Sequence, residues 1–181
     1  MKWLAILSVM AMQCAYAAPP SREAVFSCLS AQPVSHQVKV KSIQTNEVME
    51  EDNYKQGYNA TYLLKHLGRD IGYAERDGTT AIIYGGQIYP TRSSRPLLKS
   101  EMPPDGFQPS LAEWSFVEEG RLRYFCVSYN FEGLGQSGSY QNVRGGYLLP
   151  VGQKGDNTLY FAVADIRTYR RKADSEAVEK P

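Results

Sequence analysis

Histidine occurs only twice in these 181 residues, as His36 and His66, and cysteine only three times, as Cys14, Cys28 and Cys126. That scarcity argues against zinc chemistry, which gathers three or four Cys, His or carboxylate ligands at close spacing. Glu50, Glu51, Asp52 and Asn53 offer oxygens in a row, but without the alternating ligand positions and central glycine of a calcium-binding helix–loop–helix. Neither a metal nor another cofactor is expected. A surplus of positive charge is missing as well: 20 Lys and Arg stand against 19 Asp and Glu. Nucleic-acid binders need that surplus to neutralise phosphates, so no nucleic-acid partner is expected. Long apolar runs are also lacking. The longest, residues 3–12, falls well short of the roughly 20 residues that span a bilayer.

That short run has a meaning of its own. It follows Lys2 and is succeeded by Ala15-Tyr16-Ala17 before Ala18, the layout of a secretory signal with a small-x-small cleavage site. Residues 1–18 are therefore expected to be removed, leaving an exported chain without a transmembrane segment, secreted or, in a Gram-negative bacterium, periplasmic. Cys14 follows Ala11-Met12-Gln13, a bulky amide where a lipoprotein signal wants a small residue, so lipidation is not expected. Loss of this segment removes one basic residue and one cysteine, leaving 19 charges of each sign and the pair Cys28 and Cys126. In an oxidising compartment such a pair forms a disulfide. Both lie in apolar surroundings, Val25-Phe26-Ser27-Cys28-Leu29 and Tyr124-Phe125-Cys126-Val127. Those surroundings suit a buried bridge, whereas a reactive thiol needs neighbours that lower its pKa.

What the rest of the chain has in quantity is strand signal. Val38 and Val40 alternate with Lys39 and Lys41, the period of a half-buried strand. Residues 71–75 and 79–84 flank Arg76-Asp77-Gly78, a hairpin step. Residues 113–117 and 122–129 flank a second turn, and aromatic and β-branched residues dominate 158–166. Helix signals are fewer: Ser21 can cap a helix over 22–29, and Tyr62-Leu63-Leu64-Lys65-His66-Leu67 reads as a short helix stopped by Gly68. Residues 92–109, with four prolines, read as a long surface loop. These signals predict a mainly β fold, an antiparallel sheet arranged as a sandwich or partly open barrel with one or two short helices and one disulfide. A single domain over 19–171 and a disordered charged tail over 172–181 complete the expected organisation.

Two glycine motifs invite sharper readings. Gly133-Leu134-Gly135-Gln136-Ser137-Gly138 has the spelling of a dinucleotide-binding loop and follows a strand candidate. What comes next, Ser139-Tyr140-Gln141-Asn142-Val143-Arg144-Gly145-Gly146, does not open the helix whose N-terminus would hold a pyrophosphate. The remaining chain lacks the βαβ alternation too. Gly135-Gln136-Ser137-Gly138-Ser139 is close to a hydrolase nucleophile turn but carries Ser139 where the second glycine belongs. Ser137 with His66 as its base is kept as the enzyme alternative.

Thirteen tyrosines are a heavy load for one domain, and tyrosine joins a rigid apolar body to a hydroxyl, which suits contact surfaces. Tyr84, Tyr89, Tyr140 and Tyr147 lie beside glycines or a proline at strand ends. With Arg92, Arg95 and Phe107 they make up the candidate contact set, and the 92–108 and 133–140 loops are the expected contact surface. The function expected is an exported, non-catalytic binding protein, an inhibitor or neutraliser whose partner is another protein or an envelope polymer. Its alternatives are a secreted serine hydrolase using Ser137 and a structural or assembly component of an envelope complex.

Overall fold

A computed structural model of the chain describes residues 19–98, 104, 106–130, 142–152 and 157–169. The expected signal segment, the charged tail and the glycine-rich stretch with Ser137 and Tyr140 lie outside the described residues. Along the chain come α1 (Arg22–Ser30), β1 (Val38–Ser42), β2 (Met49–Lys55), β3 (Tyr58–His66), β4 (Arg69–Arg76), β5 (Thr79–Tyr84), β6 (Gln87–Pro90), β7 (Arg95–Pro96), β8 (Glu113–Glu119), β9 (Leu122–Asn130), β10 (Val143–Pro150) and β11 (Tyr160–Asp165). They form two sheets, ordered β1-β8-β9-β10-β11-β7 and β2-β3-β4-β5-β6, antiparallel except where β7 runs parallel to β11. The predicted mainly β fold with its disulfide is what forms.

The second sheet is a meander because four two-residue steps fold it back on itself. Gln56-Gly57, Leu67-Gly68, Asp77-Gly78 and Gly85-Gly86 all have positive φ, between 49° and 77°. That pair of left-handed residues makes the type I′ turn whose twist matches flanking strands, and the glycine carries it without a Cβ clash. The strand partners Lys55↔Tyr58, His66↔Arg69, Arg76↔Thr79 and Tyr84↔Gln87 close the four turns. Asp77-Gly78 is the step expected from the sequence. The short helix expected over residues 62–67 is instead the end of β3. Its apolar side chains divide between two faces, Tyr62 and Leu64 on one and Leu63 on the other, so burial on both sides replaces the alternation that signals a strand.

Side chains of both sheets meet in one aromatic layer. Tyr62 stacks on Trp114 with ring centroids 5.5 Å apart, and Tyr84 lies 4.9 Å from Phe125. Ile71, Tyr73 and Ile82 of the second sheet join Phe116, Val127, Tyr147 and Phe161 of the first in the same cluster. Each such side chain contributes about 1.5–3 kcal/mol by leaving water. On its far face the second sheet curls round a smaller core of Tyr58, Ala60, Leu63, Ala74, Ala81 and Ile83. The curl is held where β2 reaches over its neighbours: Tyr54 Oη donates to Asp70 Oδ2 at 2.8 Å, and Lys55 Nζ donates to the Gly86 carbonyl at 2.6 Å.

The first sheet is covered on its outer face by α1. Ser21 caps this helix, its Oγ accepting from Ala24 N at 3.0 Å and donating to Glu119 Oε1 at 2.7 Å. Ala31, left-handed at φ 50°, ends it. Small residues let the helix sit close. Gly146 of β10 faces Ser128 and Ala162 across the ladder, and a Cβ on it would lie 2.9 Å from Leu29 Cδ2 and 3.0 Å from the Val127 carbonyl. The disulfide joins Cys28 of the helix to Cys126 of β9, with Cα atoms 5.8 Å apart.

The described parts of 92–109 depart from a plain surface loop. Thr91 is fully buried, its Oγ1 donating to the Thr80 carbonyl at 3.1 Å. Arg95 N and Leu97 N then donate to the carbonyls of Leu159 and Phe161 at 2.8 and 2.9 Å, which builds β7. Proline content pointed to irregular backbone, but the pairing of β7 with β11 is a long-range event.

Two measurements test this framework. Replacing Cys28 and Cys126 together with alanine is expected to lower the unfolding free energy by about 4–5 kcal/mol, since the bridge closes a loop of about a hundred residues; urea denaturation reads the difference. Gly146→Val is expected to cost about 1–3 kcal/mol by forcing α1 off the sheet, seen as a lower melting midpoint with the disulfide intact.

Candidate functional site

The predicted contact residues separate into three environments. Tyr147 is a core residue, 1% exposed, and burial pushes its hydroxyl far above the usual tyrosine range, with Tyr129 adding to the effect. That burial removes it from any contact surface of the folded chain. Its place beside a glycine pair suggested accessibility, but Gly146 of that pair makes room for α1 on the opposite face and Tyr147 packs between the sheets. Phe107 is a plug: its ring stacks on Tyr129 at 4.6 Å and meets Tyr73 edge-on at 4.8 Å. Tyr140, like Ser137, lies outside the described residues.

Tyr84, Tyr89, Arg92 and Arg95 stay at the surface, and the fold gathers the last three at one place. β6 is the edge strand of the second sheet, and the Thr91–Ser93 turn carries the chain from it to β7 at the edge of the first. Between β6 and the lead into β11 lies a groove of about 410 Å³, lined by Gln87, Ile88, Tyr89, Pro90, Ser93, Asn157, Thr158 and Leu159. Tyr89 Oη donates to Gln87 Oε1 at 2.8 Å, which fixes the ring at the groove wall. Burial raises the Tyr89 pKa and the nearby Tyr84 adds to it, so the hydroxyl stays protonated at neutral pH. Arg92 and Arg95 are exposed on the adjoining turn and strand. Among the described residues the lining is thus uncharged: amides, hydroxyls, a ring and apolar carbon, with arginines outside. Neutral donors and acceptors beside apolar carbon can hold an extended peptide, and an edge strand adds free backbone groups.

Gln87, Ser93, Asn157 and Thr158 were not foreseen as contact residues. No local signal marks them, because β6 and the lead into β11 become neighbours only through the pairing of β7 with β11. The sequence-derived catalytic pair receives no support from the described part: among the described residues His66 makes a ring contact with Phe116 (centroids 5.6 Å apart) and no hydrogen bond to a carboxylate. Among the described residues no three His, Cys, Asp or Glu side chains gather as metal ligands. No described helix is long and apolar enough to cross a membrane.

The acidic run resolves into an edge strand. Glu50, Glu51 and Asp52 lie exposed on β2, where like charges discourage a second chain from pairing. Asp70, on β4, is what ties that strand down. Its carboxylate accepts from Lys65 and from Tyr54, and Lys65 above all holds its pKa below the usual carboxylate value.

Compared with protein-family models, with curated proteins and with solved structures, the chain matches none.

The Asp70 arrangement has a pH signature. A carboxyl whose folded pKa is depressed adds stability that is present above its unfolded pKa, about 4, and is lost as pH falls through the folded value. Asp70→Asn is therefore expected to lower stability at pH 7 by about 0.2–1 kcal/mol, the range of a solvent-screened pair. The deficit should vanish as the solution is acidified below the folded pKa. Urea midpoints of the two proteins across pH 2–8 check this.

Proposed function

We propose that this chain is an exported, non-catalytic binding protein, an inhibitor or neutraliser that takes an extended segment of a partner protein into the groove beside β6. The observation that carries the reading is the groove itself: uncharged hydrogen-bonding side chains and apolar carbon alternate along an edge strand on a disulfide-stapled scaffold. A β-strand added at that edge would find backbone partners on β6 and side-chain pockets between Tyr89 and Leu159. Export follows from the N-terminal segment and is supported by the disulfide, a bond that persists in oxidising compartments. Arg92 and Arg95 flank the groove at its rim, where charge steers approach more than it adds affinity.

The test uses the chain from residue 19 onward, immobilised and exposed to envelope extract of the source cell. A retained protein that cross-links to a photoreactive side chain at position 87, and not to one at Lys39 on the opposite edge, is the expected result. Tyr89→Ala should weaken retention by more than about 1 kcal/mol, the loss typical of an aromatic anchor. Retention of a polysaccharide instead of a protein, or a Tyr89→Ala variant that binds equally well, would overturn the reading.

A further inference from the structure

Beside Tyr84, whose strand partner Gln87 lines the groove, three basic side chains from three strands line one small cavity that shares no lining residue with it. His66 ends β3, Arg69 begins β4 and Arg123 lies near the start of β9. With Leu67, Tyr84 and Phe116 they line a space of about 140 Å³, room for a handful of water molecules or for one small polar group. The lining holds no carboxylate.

Each arginine is oriented and still has donors to offer. Arg69 Nη1 donates to Tyr84 Oη at 3.0 Å, and the guanidinium lies 6.0 Å from the centre of that ring. Among the described residues it has no carboxylate partner, so most of its five donors are uncommitted. Arg123 lies over the Phe116 ring at 3.8 Å. Its Nε is buried without a hydrogen bond, 3.5 Å from Glu118 Oε1. Glu118 is already engaged by Lys41 Nζ at 2.8 Å, and hydrogen bonding to Lys41 chiefly holds its pKa down. Arg123 and Lys41 therefore share one carboxylate, on which Lys39 also acts, and Arg69 has none among the described residues.

The other nearby acids, Asp70 and Glu47, do not line the cavity. Asp70 alternates to the far side of β4 from Arg69 and is held by Lys65 and Tyr54. Glu47 lines an adjoining depression with Lys65, Gln44 and Asn46, which shares His66 and Leu67 with this cavity but neither arginine. Two guanidinium forks held by aromatic rings suit the paired oxygens of a carboxylate better than a point charge would. The remaining walls are apolar. Leu67, forced out by its left-handed turn position, is 82% exposed at the rim, and Tyr84 and Phe116 give the sides.

We propose that this pocket binds a carboxylate carried on an apolar group, the chemistry of a peptide's C-terminal residue. The inference is independent of the groove and survives its failure.

The two histidines provide the readout. With His36→Gln to leave one imidazole, the His66 ring resonances are followed by NMR at constant pH during titration with N-acetyl-leucine, N-acetyl-leucinamide and inorganic phosphate. A saturable shift with N-acetyl-leucine is expected, with the amide and phosphate each weaker by about tenfold or more, the worth of a charge-assisted pair. Arg69→Gln, at an exposed position, should weaken N-acetyl-leucine by a similar factor and keep the far-ultraviolet circular dichroism of the parent. Arg22→Gln, exposed on α1 and outside both the pocket and the groove, should change nothing. An absent or non-saturating shift would overturn the proposal. So would an equal response to the amide, which means apolar contact alone, or an equal response to phosphate, which means a bare anion site. Unchanged binding in Arg69→Gln would also overturn it.

Discussion

Burial of β9 on both faces is the constraint from which the architecture follows. Phe125, Val127 and Tyr129 turn toward the second sheet, while Tyr124, Cys126 and Ser128 turn toward α1. A strand at the centre of a sheet, covered on both sides, has no face left for water. The helix must therefore stay on the outer side and the curled sheet on the inner one. The disulfide holds the first contact, and Gly146 allows it by leaving space for Leu29. The stacked rings hold the second. Removing either layer would expose apolar surface along the whole of β9, a cost far larger than that of any single contact at the edges.

Both candidate binding features arise where this packing ends. The sheets part company beyond β6 on one side and beyond the β3–β4 turn on another, and in each gap aromatic side chains of the core become the walls of a depression. Tyr89 serves in the first and Phe116 and Tyr84 in the second. The two differ in electrostatics because their rims come from different strands. Neutral amides and hydroxyls line the groove, whereas Arg69 and Arg123 arrive at the small cavity from opposite sheets. A rigid interior with chemically distinct margins is the arrangement in which surface residues can carry recognition without disturbing the fold.

Much of the framework was legible in local sequence, because its signals are local. Asp77-Gly78 marked a hairpin, and Ser21 marked the start of α1. The strand signals over 113–117 and 122–129 marked a second hairpin, which β8 and β9 form. The same reasoning misplaced residues 62–67. Tyr62, Leu63 and Leu64 are apolar in succession because both sides of β3 are covered, and a run of three cannot distinguish that from one turn of helix. The spacing of Gly57, Gly68, Gly78 and Gly86 was a usable sign of the meander; only one of the four steps carries an aspartate or asparagine to strengthen it.

The contact set was less legible. Tyr84 and Tyr89 were named for their neighbours and stay near the surface, whereas Tyr147, chosen on the same grounds, is in the core. Its neighbour Gly146 meets a helix rather than solvent, and the identity of a glycine says nothing about what approaches it.

The amino-acid sequence alone determined the strand-rich composition, the one pair of cysteines left once the N-terminal segment is set aside, the balance of charge and the helix cap at Ser21. Each depends on residue identity or on neighbours a few positions away. Tertiary structure alone decided that β7 joins β11, that Gln87 faces Asn157, and that Arg69 and Arg123 share a cavity. Those meetings join residues more than fifty positions apart in the chain, and packing of two twisted sheets, not local preference, brings them within reach.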